Sequence, residues 1–194
     1  MKAATTTADR IVDEARSLIM ARGYNGFSYA DVAATVGVSK ANVHHHFAAK
    51  SDLATAVVER SRAGIRAQVA ALKESEPDAA EQLRAYARYW ERCILDESAP
   101  FCIAAMLAAE LPSLPEDVGK AVQAFFVELK SWLTELFVLG LRQGNVTLTG
   151  NPEEEADAFL SAVYGAMLSA RAFRDPRRFA VIVETLLSRV VPFR

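Results

Sequence analysis

The sequence predicts an all-α protein of about nine helices. Apolar residues recur three and four apart along almost the whole chain, the spacing that lines one face of a helix. Strict apolar–polar alternation, the mark of a strand, is confined to residues 145–149, which read as a loop between helices. Start and stop residues divide the periodic stretches at regular intervals.

Residues 7–22 put Ile11, Val12, Ala15, Leu18 and Ile19 on one face, and Gly23 follows in the C′ place. Ser28 with Asp31 three residues on is a variant capping box. It opens a two-turn helix over 29–36 that turns Val32, Ala33 and Val36 inward and stops at Gly37. Ser39 caps a second short helix over 40–46. Ser51 and Asp52 start a longer one that runs through Leu53, Val57 and Val58 to about residue 74. Helices over 79–95 and 101–111 follow, the second stopped by Pro112 and Pro115, and a long helix over 116–143 ends at Gly144. Asn151-Pro152 and Asp175-Pro176 each pair a cap with proline at the first helical position, opening helices to about residues 173 and 191.

With 194 residues, 52% of them hydrophobic, the chain can bury a substantial core, which excludes global disorder. The most apolar stretch, 101–111, falls well short of the ~20 residues that cross a bilayer, so no membrane partner is expected. No apolar run follows the first residues, so no secretory signal is expected. Two cysteines, Cys93 and Cys102, make neither a disulfide framework nor a four-cysteine zinc site, and a reducing, cytoplasmic setting follows. Charge is unevenly spread. Residues 1–62 carry a net +2 and all three histidines, whereas the remainder carries −4, a polarity that suits a head touching a polyanion.

The informative segment is 23–53. Gly37 lets the chain reverse between the two short helices, Ser39 caps the second, and Val32, Ala33, Val38 and Val43 supply a small core. This is a helix-turn-helix layout, whose second helix enters a major groove while the first crosses the backbone. Lys40, Asn42, His44, His45 and His46 face outward on the second helix, with Ser39 at its exposed start. Ser28, Tyr29, Lys50 and nearby backbone N–H groups are placed to grip phosphate.

Through Gly23-Tyr24, Ser28, Asp31-Val32-Ala33, Gly37-Val38-Ser39-Lys40, His46-Phe47 and Lys50-Ser51-Asp52-Leu53, the sequence resembles the TetR family of transcriptional regulators. The resemblance covers roughly residues 7–53, its spacing has no gap from Ser28 to Leu53, and the family often carries tyrosine where this chain has His44 and His46. It implies a DNA-binding domain over 1–53 and a helical effector-binding and dimerisation domain over 54–194. It also implies a homodimer on a two-fold-symmetric double-stranded operator, released by a small, largely hydrophobic ligand, with no cofactor.

Thirteen of the 17 aromatic residues lie beyond residue 62. Tyr86, Tyr89, Trp90 and Cys93 share a helix face; Phe101, Met106, Phe125, Phe126, Trp132 and Tyr164 fall on the helices that follow. Each taken singly reads first as core; as a group they also suit an apolar cavity between helices, and the resemblance implies that some line an effector site. On the last two helices, Phe159, Val163, Met167, Phe179, Ile182 and Leu186 either finish the monomer core or meet a second copy, as the family does. Gly165, Ala166 and Ser169 there permit close helix approach.

Enzymatic readings find little support. Three consecutive histidines point about 100° apart on a helix and do not form a metal pair of i, i+4 spacing. All histidines lie in the head, far in sequence from either cysteine, and no nucleophile elbow, P-loop or dinucleotide fingerprint occurs. Two alternatives remain at this level: a thiol-based sensor of oxidants or electrophiles using Cys93 or Cys102, and a protein-interaction module that binds no DNA.

Overall fold

The structure is a computed structural model that describes residues 5–192. Its described residues form nine α-helices and no strand: α1 Thr7–Arg22, α2 Tyr29–Val36, α3 Lys40–His46, α4 Lys50–Ser75, α5 Ala79–Leu95, α6 Ile103–Ala109, α7 Glu116–Gln143, α8 Pro152–Phe173 and α9 Arg177–Val190. None is long and apolar enough to cross a membrane.

Local chemistry explains the boundaries. Ser28 and Asp31 form a reciprocal capping box at α2, the Ser28 N–H donating to Asp31 Oδ2 at 2.7 Å while the Asp31 N–H reaches Ser28 Oγ at 3.4 Å. Thr6 and Asp9 do the same for α1, a pair that the sequence reading passed over. Gly37, at φ +74° and ψ +38°, ends α2 in the left-handed region that side chains disfavour. The expected helix over 101–111 is shorter than the periodicity suggested: α6 spans only Ile103–Ala109, and a 3-10 turn over Leu111–Ser113 takes in Pro112. Phe101 and Cys102 precede the helix yet are buried. At α9 the helix starts one residue later than the Asp-Pro signal implied, and Asp175 Oδ1 accepts the Arg177 N–H at 3.2 Å.

The chain divides into two compact units. The first takes the residues up to Ile65 together with Ile103–Phe126; the second takes Arg66–Cys102 and the residues from Val127 on. This division differs from the linear split at residue 53, because α6 and the start of α7 pack with the head.

In the first unit, Ile11, Ala15, Ile19, Val32, Val43, Leu53 and Val57 are buried from α1 to α4, with Ala104 and Leu107 from α6. Arg10 donates from α1 to the Val36 carbonyl, and Arg60 of α4 pairs with Asp13 of α1 at 2.9 Å. Glu110, just past α6, accepts the Tyr24 backbone N–H on both carboxylate oxygens at 3.1 Å. Gly23 is at φ +74°, and a Cβ there would fall 2.1 Å from Glu110 Oε1, so only glycine admits this grip. In the second unit, α5, α7, α8 and α9 bury Leu83, Trp90, Leu133, Phe137, Phe159, Val163, Met167 and Phe179. The Phe137 and Phe159 rings meet edge to face at 5.7 Å.

Capping carboxylates give the fold an acid dependence. The Ser28 hydroxyl and N–H hold Asp31 below its ordinary value of 3.8, and Thr6 does the same for Asp9. A depressed folded-state value contributes stability above the unfolded value, and that contribution disappears as the pH falls through the folded one. Ser28→Ala is expected to lower the unfolding free energy by about 0.5–2 kcal/mol at neutral pH, a deficit that narrows below about pH 4. Urea melts at pH 7 and pH 3.5 measure both effects.

Candidate nucleic-acid interface

Helix α3 has seven residues, and its surroundings hold it in place. Ser39 Oγ accepts the Asn42 N–H at 3.1 Å, Val43 is fully buried, and the Phe47 N–H returns to the Val43 carbonyl at 2.9 Å. Opposite that buried face, Ser39, Lys40, His44, His45 and His46 are all exposed. The three imidazoles and the ammonium are therefore all open to solvent, with Ser28 exposed at the start of α2. His44 leans on the Tyr29 ring, centroids 4.6 Å apart.

Three expected contact residues lie differently from the sequence reading. Tyr29 is buried, and its hydroxyl donates to the Phe47 carbonyl at 2.9 Å. Burial, with Asp52 and Tyr24 adding to it, pushes the phenol up to about 12. Tyr29 is therefore a strut under α3 and does not present its hydroxyl to phosphate. Lys50 is half-buried; its ammonium donates to the Phe27 carbonyl at 2.6 Å and sits over the Tyr24 and Phe27 rings at 4.6 and 4.5 Å. Desolvation lowers its pKa, and Glu110 and Asp31 partly oppose the shift. Asn42 is half-buried, and its Oδ1 has no hydrogen-bond partner.

The aromatic residues expected at a ligand site divide between the units. Met106, Phe125 and Phe126 belong to the first; Tyr86, Tyr89, Trp90, Cys93, Phe101, Trp132 and Tyr164 belong to the second. Within the second unit, Tyr86 meets Trp132 edge to face at 5.3 Å, and Tyr89 meets Trp90 likewise. Cys102 Sγ lies 3.7 Å from the Tyr164 hydroxyl, a neighbour that sequence spacing gave no means of finding. Both cysteines are buried, which denies them the access that a sensing thiolate needs. A groove of about 540 Å³ between α5 and α9, lined by Arg84, Arg88, Val183 and Leu187 among others, also went unmarked in the sequence reading.

The expected dimerisation set needs the largest correction. Phe159, Val163, Met167 and Phe179 are at most 2% exposed, inside the chain itself, so they form core and no surface for a second copy. Ile182 and Leu186 are half-buried. The outward stripe of α8 is Ala158, Ser161, Gly165, Leu168 and Ala172, and Val181 projects from α9. Leu168 is 59% exposed and Val181 64%.

Comparison with known proteins joins this geometry to a lineage. Residues 11–57 match the model of the bacterial regulatory proteins of the tetR family, and residues 79–186 match that of the tetracyclin repressor-like C-terminal domain. The chain is 30% identical over 186 residues to the HTH-type transcriptional regulator CymR of Pseudomonas putida, covering 91% of this chain and 85% of that one. It is 23% identical over 171 residues to the HTH-type transcriptional repressor NemR of Escherichia coli K12, covering 87% and 86%. Among solved structures, a TetR family transcriptional regulator from Agrobacterium tumefaciens superposes with a TM-score of 0.93 at 46% identity, over 95% of this chain and 97% of that one.

Tyr29→Phe separates strut from contact. It is expected to lower stability by about 0.5–1.5 kcal/mol, the worth of one net hydrogen bond, in denaturant melts. Affinity for duplex DNA at a temperature where both proteins are folded should stay within about twofold, as suits a group that touches no phosphate.

Proposed function

Because the chain belongs to the tetR family of bacterial regulatory proteins and is a DNA-binding transcriptional regulator, we propose that it is a repressor released from its operator by a small, largely hydrophobic ligand. The observation that carries this reading is the exposed cationic and imidazole surface of α3 above a fully buried Val43. Lys40, His44, His45 and His46, with Ser39, read or position the operator; Ser28 and free backbone N–H groups hold phosphate. The DNA-reading helices lie within residues 1–53, steadied by α6 of the same unit, the effector and dimerisation surfaces lie within 54–194, and the protein acts in the cytoplasm.

A two-fold operator requires two copies, with recognition helices ~34–36 Å apart to meet successive major grooves. The small-residue stripe of α8 with Leu168, together with Val181 of α9, is the surface for the second copy. The aromatic residues of the second unit take the ligand, which acts only through unequal affinity for the DNA-bound and free conformations. The relative NemR is a transcriptional repressor, which supports the same direction of control.

Selection of binding sites from random duplexes, followed by anisotropy titrations at several salt concentrations, tests the reading. The selected sites should be inverted repeats, and Lys40→Ala should weaken binding to all of them and flatten the log–log salt dependence by about one unit. No enriched site, or an affinity independent of salt, would overturn it. Leu168→Glu with Val181→Glu should yield folded monomers by light scattering and remove tight operator binding. A dimer that survives both substitutions places the interface elsewhere.

A further inference from the structure

We infer that the second unit holds a site for an electrically neutral, aromatic-sized molecule that carries a hydrogen-bond acceptor such as a ketone or ester carbonyl. The inference rests on the ligand-release reading above and narrows the chemistry of its ligand.

The argument begins with unsatisfied donors. Tyr86 and Trp90 of α5 and Trp132 of α7 lie in this unit with Tyr164 of α8 and Cys102. The Trp132 and Trp90 indole nitrogens and the Tyr86 hydroxyl are buried without a hydrogen-bond partner. The Trp90 N–H acts on the Tyr86 oxygen from nearby, yet neither group completes a hydrogen bond. Both tryptophans are 5% exposed. An indole N–H donates and never accepts, so two indoles cannot satisfy one another and each needs an acceptor of another kind. Buried polar groups in native proteins almost always find such a partner.

The surroundings define the rest of the molecule. Among the described residues the buried polar ones are Gln82 and Asn145, and no lysine or arginine is fully buried; Arg171, whose guanidinium lies over the Phe101 ring at 5.4 Å, is exposed to solvent. Burial also pushes both phenols, Tyr86 and Tyr164, upward, so they remain neutral donors at physiological pH. A bound anion would lose its hydration and gain no buried countercharge, whereas a carbonyl gives up little and receives the free N–H groups. The rings themselves, Tyr86 on Trp132 and Tyr89 on Trp90, offer faces and edges to another ring.

The chain has only two tryptophans, and both are in this cluster, so intrinsic fluorescence reads the site directly. The purified protein is titrated with acetophenone and 2-acetonaphthone, with the matching hydrocarbons ethylbenzene and 2-ethylnaphthalene, and with benzoate and 2-naphthoate. Saturable quenching by at least one ketone, about tenfold tighter than by its hydrocarbon and its carboxylate, is the expected result. Trp132→Phe should cut the ketone-over-hydrocarbon ratio severalfold while the circular dichroism melt stays close to that of the parent. The inference is overturned if no ketone gives saturable quenching, if hydrocarbons bind as well as ketones, or if a carboxylate binds tighter. Operator release is followed in parallel by anisotropy, and it judges the repressor reading separately. A ketone that binds with the expected selectivity but leaves DNA bound supports this site and removes ligand release from the function.

Discussion

A seven-residue helix does not hold its shape alone in water; nucleation costs more than its few hydrogen bonds return. That constraint governs the head. Helix α3 has to be made rigid from one side only, because the other side must stay bare. The solution is visible residue by residue. Gly37 turns the chain in the left-handed region, Ser39 caps the first turn, Val43 plugs the core, and Tyr29 reaches under the C-terminus to the Phe47 carbonyl. The anchors leave Lys40 and the three histidines exposed, even where the Tyr29 ring meets His44, so rigidity and exposure do not compete.

This division of labour also shows what a sequence can carry. Helix ends were legible because caps and glycines act within four residues: Ser28 with Asp31, Gly37 and Asn151 all fall where local chemistry put them. The outward face of α3 was legible for the same reason, since Val43 alone among its residues is apolar and bulky. Tyr29 and Lys50 read in sequence as phosphate contacts, whereas the fold gives their polar tips to the carbonyls of Phe47 and Phe27. A tyrosine or lysine beside a binding helix looks the same in sequence whether its polar tip faces phosphate or a neighbouring peptide.

The last two helices illustrate a second limit. Periodicity identifies an apolar face but not what lies against it. On α8 the strongly apolar stripe, Phe159, Val163 and Met167, is used up inside the chain, and the surface left bare is built of small residues around Leu168. Small residues contribute little to a hydrophobic pattern, so the exposed side of α8 is fainter in sequence than its buried side. The donor-rich cluster around Trp132 was hidden for another reason. Its members come from α5, α7 and α8 and from the residue before α6, and only folding brings Cys102 to Tyr164.

The Glu110 carboxylate closes on the Tyr24 N–H across a gap of 86 residues, and Gly23 leaves it room. The head is thus discontinuous as a unit of inheritance. A chimera that exchanges only the first fifty or so residues with a relative would import a turn built for a different clasp. Any larger residue at position 23 would collide with the resident carboxylate, and a shortened acid at 110 would leave the imported peptide group dry. Modularity in this chain therefore follows the contact between two distant stretches, and recombination breakpoints compatible with it must carry both halves of the clasp together.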